Sequence, residues 1–138
     1  MKAKDSNFTH RVLQPEGWPR PKGYANGIAA KGTTVFLSGQ IGWNEKGVFP
    51  PGFAGQVRQA LDNIVRLLAE AGTTPQAVMR LTWFVTDLAA YSDNLKEIGK
   101  VYRDIFGAHY PAMTLVQVLR LVEPEALVEI EATAVIAD

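Results

Sequence analysis

The sequence predicts an α+β fold, a mixed six-stranded sheet with two helices packed on one of its faces. Two segments repeat apolar residues at the helical period, and six shorter segments are rich in strand-forming residues. The elements follow one another in the order β-β-β-α-β-α-β-β, which indicates crossovers in the middle and antiparallel hairpins at both ends. The 138 residues are the length of one ordinary domain, so we expect a single domain over residues 1–138.

Three short strands are predicted in the first part of the chain. Residues 8–13, FTHRVL, favour a first strand, and the Pro- and Gly-rich residues 14–23 favour a loop with extended pieces. The segments YANGIAA and TVFLSGQI flank KGT, a glycine-containing connection typical of a β-hairpin. Residues 42–52 are again rich in glycine and proline and predict a loop.

Two helices are predicted from the period of the apolar residues. Residues 53–71 and residues 88–106 each place their large apolar side chains on one stripe. Gly72 and Gly107 follow them and suit helix ends, and Asp87 suits the N-cap of the second helix. The segment TTPQAV between the helices predicts a single short turn.

The last three predicted strands are residues 79–86, 113–121 and 127–136. Successive side chains of a strand point to opposite faces, so each strand divides into two sets. For the strand 113–121 we expect one set to face the helices and the other to lie on the opposite face. The first set is Thr114, Val116 and Val118, and the second is Met113, Leu115 and Gln117.

One face of the predicted sheet is left without a cover. Two helices cannot cover both faces of six strands, and the second face also carries Glu129 and Glu131. Such a face is too apolar for water and too polar for a dry core, a mixture typical of a subunit interface that contains a pocket. We therefore expect a homo-oligomer.

The composition excludes several classes of protein. With 14 basic and 14 acidic residues the formal net charge is zero, which argues against a nucleic-acid binder that works by phosphate neutralisation. No cysteine occurs, and the only histidines are His10 and His109, so thiolate chemistry is excluded and a His-rich metal site is not expected. No apolar run resembles a signal peptide or a membrane span, so we expect a cytoplasmic protein.

Two acids two residues apart are the first candidates for chemistry. Glu129 and Glu131 share one strand face, where a carboxylate can act as general acid or base or can position a water molecule. The alternative is that both acids pair with Arg or Lys across strands or subunits, which is the commoner role of such carboxylates.

Two other features suit a ligand but have simpler explanations. Gly39, after Ser38 at a strand end, lets backbone N–H groups approach a ligand, and the alternative is a simple bulge. The amide of Asn94, near the start of the second helix, can contact a ligand or cap a turn.

Six motifs together resemble one known family. They are PKGYANG, VFLSGQIG, QVRQALDNIVRLLAEAG, RLTWFVTDL, YPAMTLVQV and ALVEIEATAV, in order from about Gly23 to Val135. The set resembles the RidA/YjgF family of reactive-intermediate deaminases, also known as endoribonuclease L-PSP-like or translation-inhibitor-like proteins. The resemblance implies a chorismate-mutase-like α+β fold, a homotrimer with a small-molecule ligand in each cleft between subunits, and hydrolysis of enamines and imines without a cofactor.

The resemblance also implies roles for single residues. Glu129 falls on the glutamate that would position the attacking water, and Glu131 on a second, structural acid. The substrate-binding positions that it marks are Tyr24, Ser38, Gly39, Asn94, Met113, Thr114 and Leu115.

One position departs from the family in a way that changes the expected substrate. Met113 stands where the family's PAR motif has an arginine that binds the substrate carboxylate, and Leu115 stands where a small or thiol residue is usual. Methionine offers neither charge nor a bidentate fork. Lys22, in KGY in place of GPY, can replace the lost cation or can simply be solvated.

Three hypotheses follow for the function. The first is a divergent imine or enamine deaminase whose substrate is more apolar than 2-aminoacrylate. The second is a non-catalytic trimer that binds or senses a small molecule. The third, a ribonuclease or translation inhibitor, is disfavoured because the sequence has neither a basic stripe nor a suitable histidine pair.

Overall fold

The computed structural model describes residues 10–138 and confirms the α+β class and the order of elements. Residues 8 and 9 of the first predicted strand lie outside the described residues. The second predicted helix is divided into two. The elements are β1 (His10–Val12), β2 (Ile28–Ala30), β3 (Thr33–Ile41), α1 (Phe53–Glu70), a 3₁₀ turn (Pro75–Ala77), β4 (Val78–Val85), α2 (Leu88–Asp93), α3 (Leu95–Phe106), β5 (Ala112–Gln117) and β6 (Val128–Ile136).

The six strands form two sheets rather than the single six-stranded sheet that we expected. The larger sheet has the order β3-β6-β4-β5, and β1 and β2 form a separate antiparallel pair. β6 is antiparallel to both of its neighbours, whereas β5 is parallel to β4. A hydrogen bond of 3.0 Å from the Ala25 N–H to the Pro111 carbonyl holds the segment before β2 beside the start of β5.

Neither of the expected hairpins around the larger sheet forms. The strand that follows KGT pairs with β6 and not with β2, and β6 lies between β3 and β4 and not beside β5. The reason is that β4 and β6 carry the two most buried sets of side chains in the sheet, and Val128, Ile130 and Ala134 of β6 are fully buried. A central strand buries this set under the helices, which an edge position beside β5 could not do.

The helices cover one face of the larger sheet. Seven residues of α1 are buried, among them Leu61, Ile64 and Leu68, and they join one core with the inner side chains of β4 and β6. The predicted second helix breaks at Asn94, whose side-chain amide donates to the Ala90 carbonyl at 2.7 Å. Within residues 10–138 no helix combines the length and apolar character needed to cross a bilayer.

A single buried amide ties α1 to the segment that leads into β6. Gln56 is the one polar residue among those described that is buried. Its Nε2 donates to the Glu125 carbonyl at 3.0 Å, and its Oε1 accepts from the Leu127 N–H at 2.8 Å. The pair of bonds fixes the start of β6 against the first helix.

The other face of the larger sheet is uncovered, as predicted, but β5 presents the opposite set of side chains to it. Met113 and Leu115 are in register with Leu81 and Trp83 and pack against the core, so they face the helices. Our assignment of β5 was therefore wrong, because both of its sets are apolar enough to suit either face. The open face, as we name it, carries Phe36, Thr82, Phe84, Thr114, Val116, Glu129 and Glu131.

A partly buried histidine lies between β4 and the small sheet. The Nε2 of His109 lies 2.6 Å from the Val78 carbonyl, to which it must donate because a carbonyl only accepts. Its ring meets that of His10 edge-on at 5.7 Å. Burial lowers the pKa of His109, and nearby His10 lowers it further, while the bond to Val78 opposes them. The neutral ring is therefore the form that the fold holds.

Acid should destabilise the protein through His109. Because its folded pKa lies below the ordinary value of about 6.5, the unfolded chain binds the proton first as the pH falls. The contribution of His109 is complete above about pH 6.5 and is lost below it. We expect the urea midpoint to fall between about pH 7 and 5, and to fall less in His109→Gln. An identical pH dependence in the two proteins would contradict this assignment.

Candidate functional site

The acid that the sequence singled out lies on the open face, next to an edge strand. Glu129 on β6 is flanked by Ile41 on β3 and by Phe84 on β4. It is half-buried, whereas Glu131 is exposed. Within residues 10–138 neither acid forms an ion pair, so the alternative of cross-strand pairing inside one chain finds no partner here. The Glu129 carboxylate is therefore available to a ligand.

Gly39 leaves the space that the Glu129 carboxylate occupies. The register of β3 and β6 shifts between Leu37 and Gln40, which shows the bulge that we gave as the simpler explanation. The bulge also brings the Gly39 backbone so close to Glu129 that a Cβ at Gly39 would overlap the carboxylate. Bulges commonly re-aim groups beside active sites. The bulge at Ser38 and Gly39 within β3 and the Glu129 side chain thus form one local unit, which we call the acid half-site.

Replacing Gly39 should displace the acid without unfolding the protein. In Gly39→Ala the new methyl group overlaps the end of a flexible side chain, so the Glu129 carboxylate swings away at small cost in stability. We expect the rate of any reaction that depends on Glu129 to fall at least about tenfold, with little change in the thermal midpoint.

A matched control for this substitution is available on α1. A Cβ at Gly55 would make only ordinary contact, 3.5 Å from the Pro50 side chain. Gly55→Ala should keep full activity and raise the free energy of unfolding by about 0.5–1 kcal/mol, because alanine favours a helix. Equal loss of activity in the two variants would remove Gly39 from the site.

A second group of predicted site residues lies on the other side of the sheet. Met113 lines a cavity of about 390 Å³ between α3 and the strands β4 and β5, which we call the Met113 cavity. Its other lining residues include Lys22 and Gly23 from the KGY segment, and Trp83, Tyr91, Tyr102, Arg103 and Tyr110.

Tyr24 lies next to the Met113 cavity rather than in it. It lines a neighbouring depression of about 320 Å³ together with His10 and His109, and Tyr110 borders both spaces. The bond from Ala25 to Pro111 places the KGY segment beside the start of β5. Tyr24 and Met113 thus belong to one end of the molecule, at the edge strand of the sheet.

The other three predicted residues have separate positions. The Asn94 side chain is engaged at the junction of α2 and α3 and does not line the cavity. Leu115 packs against the core beside Trp83, and Thr114 is exposed on the open face. None of these three residues contacts both the acid half-site and the Met113 cavity.

The predicted site residues therefore form two half-sites that one chain does not bring together. Glu129 and Met113 lie on strands separated by β4, and their side chains point to opposite faces of the sheet. A ligand bound to one chain therefore cannot touch both side chains. β5 is an edge strand and offers unpaired backbone groups there.

Two members of the Met113 cavity that the sequence did not mark as site residues are Trp83 and Arg103. Trp83 is 2% exposed, and its indole N–H has no hydrogen-bond partner within the described residues. Arg103 was not singled out, because an arginine near the end of a helix is ordinary. The spacing of Gly99 and Arg103, one helical turn apart, is the signal that could have found it.

Comparison with known proteins gives a consistent result. The family model described as endoribonuclease L-PSP matches residues 19–136. The chain is 34% identical to the 2-iminobutanoate/2-iminopropanoate deaminase of Escherichia coli, over 91% of this chain and 97% of that one.

Two solved structures show the same similarity. YyfB of the Rid protein family from Yersinia pestis is 32% identical, with a TM-score of 0.82 over 93% of this chain and 99% of that one. TdcF of E. coli, solved with bound serine, is 32% identical, with a TM-score of 0.65 over 91% and 98%.

Proposed function

Because the chain belongs to the endoribonuclease L-PSP family, the family of RidA and YjgF, we propose that it hydrolyses a reactive imine or enamine to a carbonyl compound and ammonia. The observation that carries the proposal is the acid half-site. There a carboxylate without an ion-pair partner in residues 10–138 lies against a glycine that leaves room for it. A related chain is named as a deaminase of 2-imino acids, which is the reaction that such a carboxylate can serve.

Glu129 acts on water in the proposed reaction. The carboxylate accepts a hydrogen bond from a water molecule and directs its oxygen toward the imine carbon. Water adds to that carbon while one of its protons passes by way of Glu129 to the imine nitrogen, which gives a carbinolamine. The hydroxyl proton then moves to the amino group, and the C–N bond breaks as the carbonyl forms, so that ammonia leaves. An enamine first tautomerises to the imine. The backbone N–H groups around Ser38 and Gly39 hold the substrate's polar end during these steps.

The complete site is proposed to lie between two copies of the chain in a homotrimer. The open face and the loop after β5 expose large apolar side chains, with Phe36 80%, Leu119 96% and Val122 93% exposed. Exposed apolar groups of this size mark an association surface. A partner copy on this face also supplies the half-site that each chain lacks.

The substrate is proposed to be more apolar than a two- or three-carbon imino acid. Met113 offers no fork for a carboxylate at the position where the family has its arginine, and with its aromatic neighbours it offers dispersion contacts to an apolar side chain. The test is ammonia release from a panel of freshly generated imines of increasing side-chain size. Turnover that increases with side-chain size supports the proposal. If no imine turns over but apolar acids raise the thermal midpoint, the protein is a non-catalytic binder.

Restoring an arginine at position 113 should create activity toward small substrates. In Met113→Arg a guanidinium enters the cavity and can bind a carboxylate with charged hydrogen bonds of about 1.5–3 kcal/mol. We expect kcat/KM for 2-iminopropanoate to rise about tenfold or more. Met113→Gln, polar but uncharged, should show no such gain. The same gain in both variants would show that charge at this position is irrelevant.

A further inference from the structure

We infer that the Met113 cavity is the specificity pocket for an aromatic 2-imino or 2-oxo acid, whose carboxylate pairs with Arg103. The identity of the reacting imine rests on the proposed function, but the binding of the aromatic acid does not. The stable 2-oxo acid can therefore probe the pocket without any turnover.

The walls of the cavity suit a planar ring. Trp83, Tyr91, Tyr102 and Tyr110 contribute four aromatic side chains, and Met113 adds a polarisable thioether. Trp83 and Tyr91 meet edge-on at 6.4 Å, while Tyr102 stacks on Tyr110 at 5.8 Å. The volume of about 390 Å³ lies in the range of small-molecule pockets, about 300–1,000 Å³.

The Arg103 guanidinium lies over a gap that Gly99 creates in the wall. A Cβ at Gly99 would lie 3.2 Å from the Arg103 Nη1, closer than an ordinary contact. The guanidinium therefore extends back along α3 over the glycine, and both residues line the cavity. The absence of a side chain at position 99 leaves room for the Arg103 guanidinium.

The charge of the lining suits an anion. Its two ionised residues at neutral pH are Arg103 and Lys22, and it contains no carboxylate. Within the described part of the chain neither cation has an ion-pair partner, whereas Arg58 and Lys100 both bind Asp104. A carboxylate at the mouth would find one guanidinium fork with a lysine on the same lining.

Isothermal titration calorimetry with three 2-oxo acids tests the inference. We expect phenylpyruvate to bind at least about tenfold more tightly than pyruvate, because its ring fills the aromatic cavity. We expect 4-hydroxyphenylpyruvate to show the same preference over pyruvate, because its ring fills the same space. Equal affinities for pyruvate and phenylpyruvate would overturn the assignment of the pocket.

Variants of α3 locate the binding. Arg103→Gln should weaken both aryl acids about tenfold or more, since it removes the charged hydrogen bonds. Lys100→Gln removes the same charge from the same helix outside the cavity, and it should change nothing. Equal effects of the two variants would mean that only the general charge of the helix matters.

Gly99→Ala separates a binding role from a structural one. The new methyl group crowds the guanidinium, while alanine strengthens the helix. We expect weaker binding of the aryl acids together with a higher thermal midpoint. Unchanged binding would contradict the inference. If aryl acids bind through Arg103 but no imine releases ammonia, the proposed function fails and the pocket stands. If imines are hydrolysed with no preference for aryl side chains, the proposed function stands and the aromatic pocket is wrong.

Discussion

In Glu129→Gln, kcat for imine hydrolysis should fall by a factor of about 10²–10⁴, the usual contribution of a positioned acid or base. The amide keeps the shape of the side chain but cannot take a proton from water. Because Glu129 is only half-buried and forms no ion pair within residues 10–138, its replacement removes no stabilising pair from the chain. Ammonia release and the urea midpoint are measured on the same preparation, and only the first should change.

Glu131→Gln is the matched control for this substitution. It lies on the same strand and the same face, two residues further along, and is exposed. The Glu131→Gln variant should keep its activity within about twofold, because the Glu131 side chain does not contact Gly39. Undiminished turnover in Glu129→Gln, or the same loss in both variants, would remove Glu129 from the mechanism.

The largest loss of stability from a single polar side chain is expected at Gln56. In Gln56→Leu the Glu125 carbonyl and the Leu127 N–H both lose their partner. Both bonds are part-buried, and a buried group left unsatisfied costs about 1–3 kcal/mol, so the free energy of unfolding should fall by roughly 2–4 kcal/mol. The segment held by Gln56 leads directly into β6 and Glu129, so activity should fall as well.

Urea unfolding measures this effect against a neighbour on the same helix. Gln59 is only half-buried and bonds to the Asn63 side chain at 3.0 Å. Gln59→Leu should cost less than about 1 kcal/mol, because no backbone group is left buried without a partner. Similar losses in the two variants would show that the Gln56 bonds do not hold this segment.

The helical segments and the order of helices and strands along the chain could be predicted from the sequence. Which strands pair with each other in the sheet could not. The apolar stripe of α1 follows from local periodicity, which the chain carries in itself. Which strand lies beside β6 depends on the burial of the whole strand, a long-range property. The break at Asn94 was missed because an amide that bonds back to the Ala90 carbonyl leaves the apolar period intact.

The faces of β5 show a second limit. Alternation divides a strand into two sets but does not say which set faces the helices. For β6 the two acids, Glu129 and Glu131, indicate which set faces away from the helices, and this prediction was right. For β5 both sets are apolar, and only the register with Leu81 and Trp83 shows that Met113 faces inward.

The candidate site was predicted unevenly for the same reason. Glu129 and Gly39 were both marked from the sequence, although their contact depends on a bulge that only the structure shows. Met113 and Lys22 of the cavity were marked as well, but Arg103 was missed because it lies on a different element, the helix α3, ten residues before Met113. No local pattern links Arg103 to Met113.

Mixed oligomers test most directly the claim that each site is shared between two chains. Glu129→Gln disables the acid half-site, and Met113→Trp fills the cavity of the other half-site. The two variants are co-expressed with different affinity tags, purified through both tags, and assayed for ammonia release. A site built from two chains predicts restored activity in one of the three sites of each mixed trimer, because only one interface joins an intact Glu129 to an intact cavity. Mixed oligomers no more active than either parent would contradict the account.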